Sequence, residues 1–94
     1  MIGDLFTKLQ EARQKIDDAK KQLNSVIVEA NSSDGKIQIK ANANKMITSI
    51  EITPSLLQQE NKEELEETML VTINRALEEA AQKGEAEMKK ITKD

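Results

Sequence analysis

Glu63 and Glu67 stand four residues apart in the run EELEE, one turn apart on a helix. Such a pair could hold a cation or pass protons. The more ordinary role of Glu63, Glu64, Glu66 and Glu67 at a helix start is to complement the positive end of its dipole. Little other reactive chemistry is open to the chain. It has no His, Cys, Tyr or Trp. The common general base, the thiolate nucleophile and the usual metal ligands are therefore missing. The three glycines form no phosphate-cradling loop, and the sequon Asn31-Ser32-Ser33 falls in a turn. The expectation is a binding protein and not an enzyme, with no cofactor, no metal and no small-molecule substrate.

What remains is charge. The 94 residues carry a net −3, unevenly spread. Residues 1–24 hold Lys8, Arg13, Lys15, Lys20 and Lys21 against Asp4, Glu11, Asp17 and Asp18, a balance of +1. Residues 25–54 cancel, and residues 55–94 hold six bases against ten acids, a balance of −4. Nucleic-acid binders usually show a stronger basic bias, so any such role has to come from local patches. The terminal KKITKD, with Lys89, Lys90 and Lys93, reads first as a cap on the negative end of a helix dipole.

The elements that must position these charges are legible. Leu5, Leu9, Ala12, Ile16, Ala19 and Leu23 recur at alternating spacings of four and three, a coiled-coil-like seam on a first helix. Lys8 and Lys15 flank the seam on one side and Arg13 and Lys20 on the other. Flanking bases of this kind could bind phosphates, and they also commonly pair with a neighbouring helix or stay solvated. Asn24 and Ser25 end the helix.

Three strands follow. SVIVEAN is rich in β-branched residues. Ser32–Gly35 is a hairpin turn, because Gly35 tolerates positive φ. In KIQIKANA, Ile37, Ile39, Ala41 and Ala43 alternate with Lys36, Gln38, Lys40 and Asn42, giving one apolar and one polar face. Asn42–Lys45 makes the second turn. In MITSIEIT, strict alternation buries Met46, Ile50 and Ile52 and leaves Ile47 on the polar face. A sheet with one polar face is an antiparallel meander covered on one side.

Thr53-Pro54 stops the sheet. SLLQQ reads as a short helical turn whose Leu56 and Leu57 plug the core. Asn61 and Glu64 have the spacing of a capping box. The last helix runs from about Lys62 to Thr92, with a seam of Leu70, Ile73, Leu77, Ala80, Gly84 and Ile91, and Leu65, Met69, Ala76 and Met88 beside it. Gly84 costs about 1 kcal/mol relative to Ala inside a helix, which calls for close packing there or a kink.

Size and length bound the assembly. One domain over residues 1–94 is expected, with a thin core: apolar content is 37% and Phe6 is the one aromatic residue. The absence of cysteine fits a reducing cytoplasm. MIGDLFTKLQ has no apolar run of signal length, and no stretch approaches the ~20 apolar residues of a membrane span. At ~1.5 Å per residue the helices are roughly 30 and 45 Å long, whereas a seven-residue strand spans only about 23 Å. The helices must overhang the sheet, and a second copy of the chain is the simplest cover for their seams. The expected fold is α+β: helix, three-stranded antiparallel β-meander, short helical turn and long helix, in an intertwined homodimer with projecting helical arms.

The same order resembles the YbaB/EbfC family of nucleoid-associated proteins. KLQEARQKIDDAKKQL (8–23) resembles that family's first helix. GKIQIKANANKMITSIEITPSLL (35–57) resembles its sheet and Pro-Ser-Leu-Leu ending, and EELEETMLVTINRALEEA (63–80) its last helix. The resemblance implies a small homodimer of the cytoplasmic nucleoid that binds double-stranded DNA with limited sequence preference and influences gene expression. It also implies arms likened to tweezers. Carried over by position, the DNA contacts are Lys8, Arg13, Lys15, Lys20 and Lys21 on the first arm and Lys89, Lys90 and Lys93 on the second. The alternatives are an acidic dimeric adaptor or chaperone that clasps a protein, and a purely self-assembling structural protein.

Overall fold

The computed structural model describes residues 2–92. Helix α1 (Ile2–Leu23) leads into strands β1 (Ile27–Asn31), β2 (Ile37–Asn42) and β3 (Ile47–Ile52), which form an antiparallel sheet in that order. Two 3-10 turns, Pro54–Leu57 and Gln59–Asn61, connect the sheet to helix α2 (Lys62–Thr92). These are the expected elements in the expected order.

Both hairpin turns are made as their residues dictate. Gly35 sits at φ 74° and Lys45 at φ 66°, the left-handed region where Gly is free and Lys is uncommon. The Ser32 hydroxyl donates to Asp34 Oδ1 at 2.6 Å and accepts from the Ile37 amide at 3.0 Å. At the other end of β2, Asn42 Oδ1 accepts from the amides of Asn44 (2.9 Å) and Met46 (3.2 Å). Asn42 was expected on the exposed polar face. It is buried instead, because its side chain turns inward to satisfy those two amides.

The core is small and aliphatic. Ala30, Ile37, Ile39, Leu56 and Ala76 form its centre, and Ile47, Ile52, Leu65, Met69 and Ile73 pack around them. Helix α2 lies over β1 and β2, burying Thr72, Ala76, Ala80 and Gly84. That line of small residues lets helix and sheet come close. At Gly84 the approach is tight enough that a Cβ would overlap the Ala43 carbonyl oxygen and stand 3.5 Å from the carbonyl carbon. Close packing therefore explains the glycine. Leu70, assigned to the seam, faces away at 64% exposure: the buried face is centred on small residues, and the larger leucine falls beside it. The side chain of Ile91, also assigned to the seam, lies outside the described residues.

Three further expectations are corrected. Ile47 does not face the polar side. The register pairs Lys40 with Ser49 and then Ala41 with Ile47, so Thr48 is the extra residue of a β-bulge. The bulge shifts the alternation by one, bringing Ile47 onto the core and leaving Met46 exposed. Ile50 keeps its place opposite buried Ile39, but β3 is a sheet edge beyond the cover of α2, and Ile50 remains 45% exposed. At the 3-10 turn only Leu56 plugs the core, while Leu57 is exposed, since one turn cannot aim two successive side chains inward. Asn61 donates its side-chain amide to the Ser55 carbonyl at 2.7 Å, and Glu64 lies 3.9 Å from Lys36. These contacts hold the α2 entry to the preceding turn and to the sheet.

The molecule measures 69 × 20 × 17 Å with a radius of gyration of 18.9 Å, whereas a compact chain of this length would have about 12 Å. Its long axis exceeds either helix alone, roughly 33 and 46 Å. The inward end of α1 is anchored through buried Ala19 and Leu23. Residues 3–18 are exposed throughout and project as an arm.

Candidate nucleic-acid interface

The arm carries its bases in the open. Lys8, Arg13, Lys15, Lys20 and Lys21 are all exposed. Among the described residues, none of the five lies within ion-pair distance of a carboxylate. Of the four acids on the same helix, Asp18 accepts from Gln14 Nε2 at 3.0 Å. Lys20 and Lys21 fall in the last turn, where they complement the negative end of the α1 dipole.

The bases at the end of α2 stand differently. Lys89 lies 3.5 Å from Glu85, and Lys90 lies 3.7 Å from Glu87, which also takes Lys83 at 3.4 Å. The Lys89–Glu85 pair is exposed and Glu87 is half-buried; such i,i+3 and i,i+4 pairs are individually weak, yet they offset the charge that a phosphate would meet. Lys93 lies outside the described residues.

The root of the arm is held from the sheet side. Every one of the last four carbonyls of α1, which a helix leaves without partners, accepts a hydrogen bond. Asn24, Ser25 and Val26 amides serve Lys21, Gln22 and Leu23 locally. The Asn44 side-chain amide, from the β2–β3 turn, donates to the Lys20 carbonyl at 2.8 Å and to Asn24 Oδ1 at 2.6 Å. The Ala43 amide reaches the Leu23 carbonyl at 3.2 Å. Sequence reasoning did not single out Asn44, and only its place in an Asn-rich turn marked it. Lys45 was passed over too: it is exposed, carries no ion pair among the described residues and follows Asn44 directly.

The arm's apolar seam is uncovered. Leu5, Phe6, Leu9 and Ile16 are exposed, as are Ile50 on the sheet edge and Leu70 and Val71 on α2. Among the described residues no three carboxylates gather as a metal centre would need, and no helix is long and apolar enough to cross a membrane. The surface depressions are shallow. One lies between the Ser32–Ser33 turn and Thr68, Thr72 and Arg75 of α2, where Arg75 Nη1 donates to the Asn31 carbonyl at 3.0 Å. Asp34 is the one described group whose carboxyl titrates clearly below the ordinary range. The Ser32 hydroxyl and then the Lys36 amide hold its charged form, at the opposite end of the sheet from the arm.

A small α+β scaffold that leaves a basic helix projecting beyond its sheet belongs to the class of proteins that present charged surface to an extended ligand. The chain belongs to the YbaB/EbfC DNA-binding family, whose sequence model matches residues 1–94. That is a family of DNA-binding proteins, not of enzymes. A nucleoid-associated protein of Flavobacterium johnsoniae is 41% identical over 89 residues, covering 95% of this chain and 82% of the relative. One from Thermoanaerobacter pseudethanolicus is 32% identical over 91 residues, covering 97% and 82%. An uncharacterized protein from Helicobacter pylori of known crystal structure shares the fold with a TM-score of 0.69 at 17% identity, over 83% of this chain and 90% of that one.

Proposed function

We propose that the chain acts as one domain in a homodimer that binds double-stranded DNA in the cytoplasmic nucleoid. Contacts run from Lys8, Arg13, Lys15, Lys20 and Lys21 to phosphates, with little base readout. The observation that carries this reading is the contrast between the two sets of bases: those on α1 are exposed and unpaired, while Lys89 and Lys90 are held by Glu85 and Glu87. Lys89, Lys90 and Lys93 then make the smaller contribution. A chain with one aromatic residue, Phe6, has little to stack on unpaired bases, which favours duplex over single strands. The uncovered seam residues Leu5, Leu9 and Ile16 and the edge residue Ile50 are apolar surface that a second copy would cover.

The test is fluorescence anisotropy of a labelled duplex of about 30 base pairs, long enough to cross both arms, at several salt concentrations. If three bases on the α1 arm of each protomer meet phosphates, log K falls against log salt with a slope of about −5. Absence of binding at low salt would transfer the function to the protein-binding adaptor. Sedimentation at micromolar concentration checks the dimer, and a monomer there removes it.

A further inference from the structure

Two adjacent residues of one turn, Ala43 and Asn44, tie the α1 root to the sheet by hydrogen bonds. We infer that Asn44 is a positioning residue for DNA binding: its side-chain amide clamps the Lys20 carbonyl and the Asn24 side chain and so fixes the direction of the basic arm. The consequence for binding rests on the reading of α1 as the DNA-binding arm; the clamp itself does not.

Three observations carry the inference. First, within one protomer the arm is otherwise held only by burial at its root, among the described residues. Ala19 and Leu23 are its buried residues, and nothing between residues 3 and 18 is covered. A small rotation at Lys20 therefore moves Lys8, twelve residues or about 18 Å further out, by a large distance. Second, the clamp is itself braced. The Asn44 backbone amide donates to buried Asn42 Oδ1, and the next residue, Lys45, is held at φ 66°. Left-handed backbone at a residue other than Gly or Asn persists only where its surroundings fix it. Third, the bond joins residues 24 positions apart in sequence, so it reports tertiary placement and not local helix capping. An arm held in one direction presents its bases already arranged. A loose arm presents the same charges in the right place only a fraction of the time, and apparent affinity falls by that fraction.

The chain has no cysteine, so spin labels can be placed at will on Gln10→Cys in the arm and Gln82→Cys in α2. Labelled chain diluted with unlabelled chain gives the distance within one protomer, read without DNA. Duplex affinity is measured on unlabelled protein. Asn44→Ala is expected to broaden the Gln10–Gln82 distance distribution and to weaken duplex binding by about tenfold, at temperatures where the sheet remains folded. Asn24→Ala, at an exposed position outside the turn, removes one acceptor and should broaden the distribution partly; it serves if Asn44→Ala does not fold. Lys20→Gln keeps the carbonyl, and should leave the distances narrow while lowering the salt slope. That pairing distinguishes lost charge from lost direction.

Unchanged distances in Asn44→Ala and Asn24→Ala overturn the clamp. Broadened distances with unchanged affinity overturn its role in binding. If the unaltered protein binds no duplex, the reading of α1 as a DNA arm fails, and the distances still decide the clamp.

Discussion

Gly84 of α2 lies directly against the backbone carbonyl of Ala43, with no room for a methyl group between them. The contact seats the far part of α2 on the end of β2, at the turn that holds the root of α1. Helix, sheet and arm therefore meet at one place, where the Ala43 amide also donates to the Leu23 carbonyl and Asn44 reaches the Lys20 carbonyl.

Gly84→Ala separates local from tertiary effects. Helix propensity alone favours alanine by about 1 kcal/mol. Overpacking against a backbone atom, which cannot rotate away, costs typically 1–3 kcal/mol on the ordinary scale of such changes, about 2 here. The variant is expected to be the less stable in urea unfolding. A raised midpoint would show that α2 can lift off the sheet freely.

Ile47→Lys tests the β-bulge. Strict alternation would put the lysine in solvent at no cost. The observed register sets Ile47 opposite buried Ala41 and against the core, so the substitution should cost about 2–3 kcal/mol. Unfolding curves that superimpose on the parent would mean that the bulge is absent in solution.

The charge contrast predicts unequal effects from equal substitutions. Lys15→Gln with Lys20→Gln should weaken duplex binding strongly while circular dichroism and the dimer are unchanged. Lys89→Gln with Lys90→Gln should weaken it far less, since Glu85 and Glu87 already hold those ammonium groups. Neutralising a phosphate contact lowers the salt slope by about one, so the two slopes count the contacts on each arm. Equal losses would assign both arms the same role.

Asp34 contributes to the acid limb of stability. Its carboxyl is held below the ordinary carboxylate range by the Ser32 hydroxyl and the Lys36 amide. A group whose folded pKa is depressed contributes stability above its unfolded pKa and loses it as pH falls through the folded pKa. Stability should therefore decline from about pH 4 downward. Asp34→Asn should be less stable at neutral pH and should lack that part of the decline. Carbon-detected NMR titration of the Asp34 carboxyl checks the direction, and a midpoint above that of an unstructured aspartate would reverse it.

Much of this protein is written in short-range pattern. The seven-residue repeat of Leu9, Ile16 and Leu23 marks α1, alternation from Lys36 to Ala43 marks β2, and Pro54 and the acids after Asn61 mark where α2 can begin. Each depends on backbone geometry within a few residues, so each survives being read alone. The overhang of the arms was legible too, because it follows from rise per residue.

What depended on partners far along the chain was not legible. The bulge at Thr48 exists only because β3 must register with β2, and it alone decides that Ile47 is inside and Met46 outside. The rotation of α2 that buries Thr72 and Ala76 but not Leu70 is chosen by how closely small residues let it approach the sheet. Which bases are free was not legible for a local reason: Lys15 and Lys89 each follow a glutamate by four positions, Glu11 and Glu85, and the spacing alone does not say which pair closes. Lys15 and Lys89 are the same side chain in the sequence, but only one stands beside a carboxylate in space. The sequence by itself determined the elements, their lengths and their charges. Tertiary structure decided which face each element turns inward and that Asn44 reaches back to the carbonyl of Lys20, because those are properties of residues far apart in the chain and not of single positions.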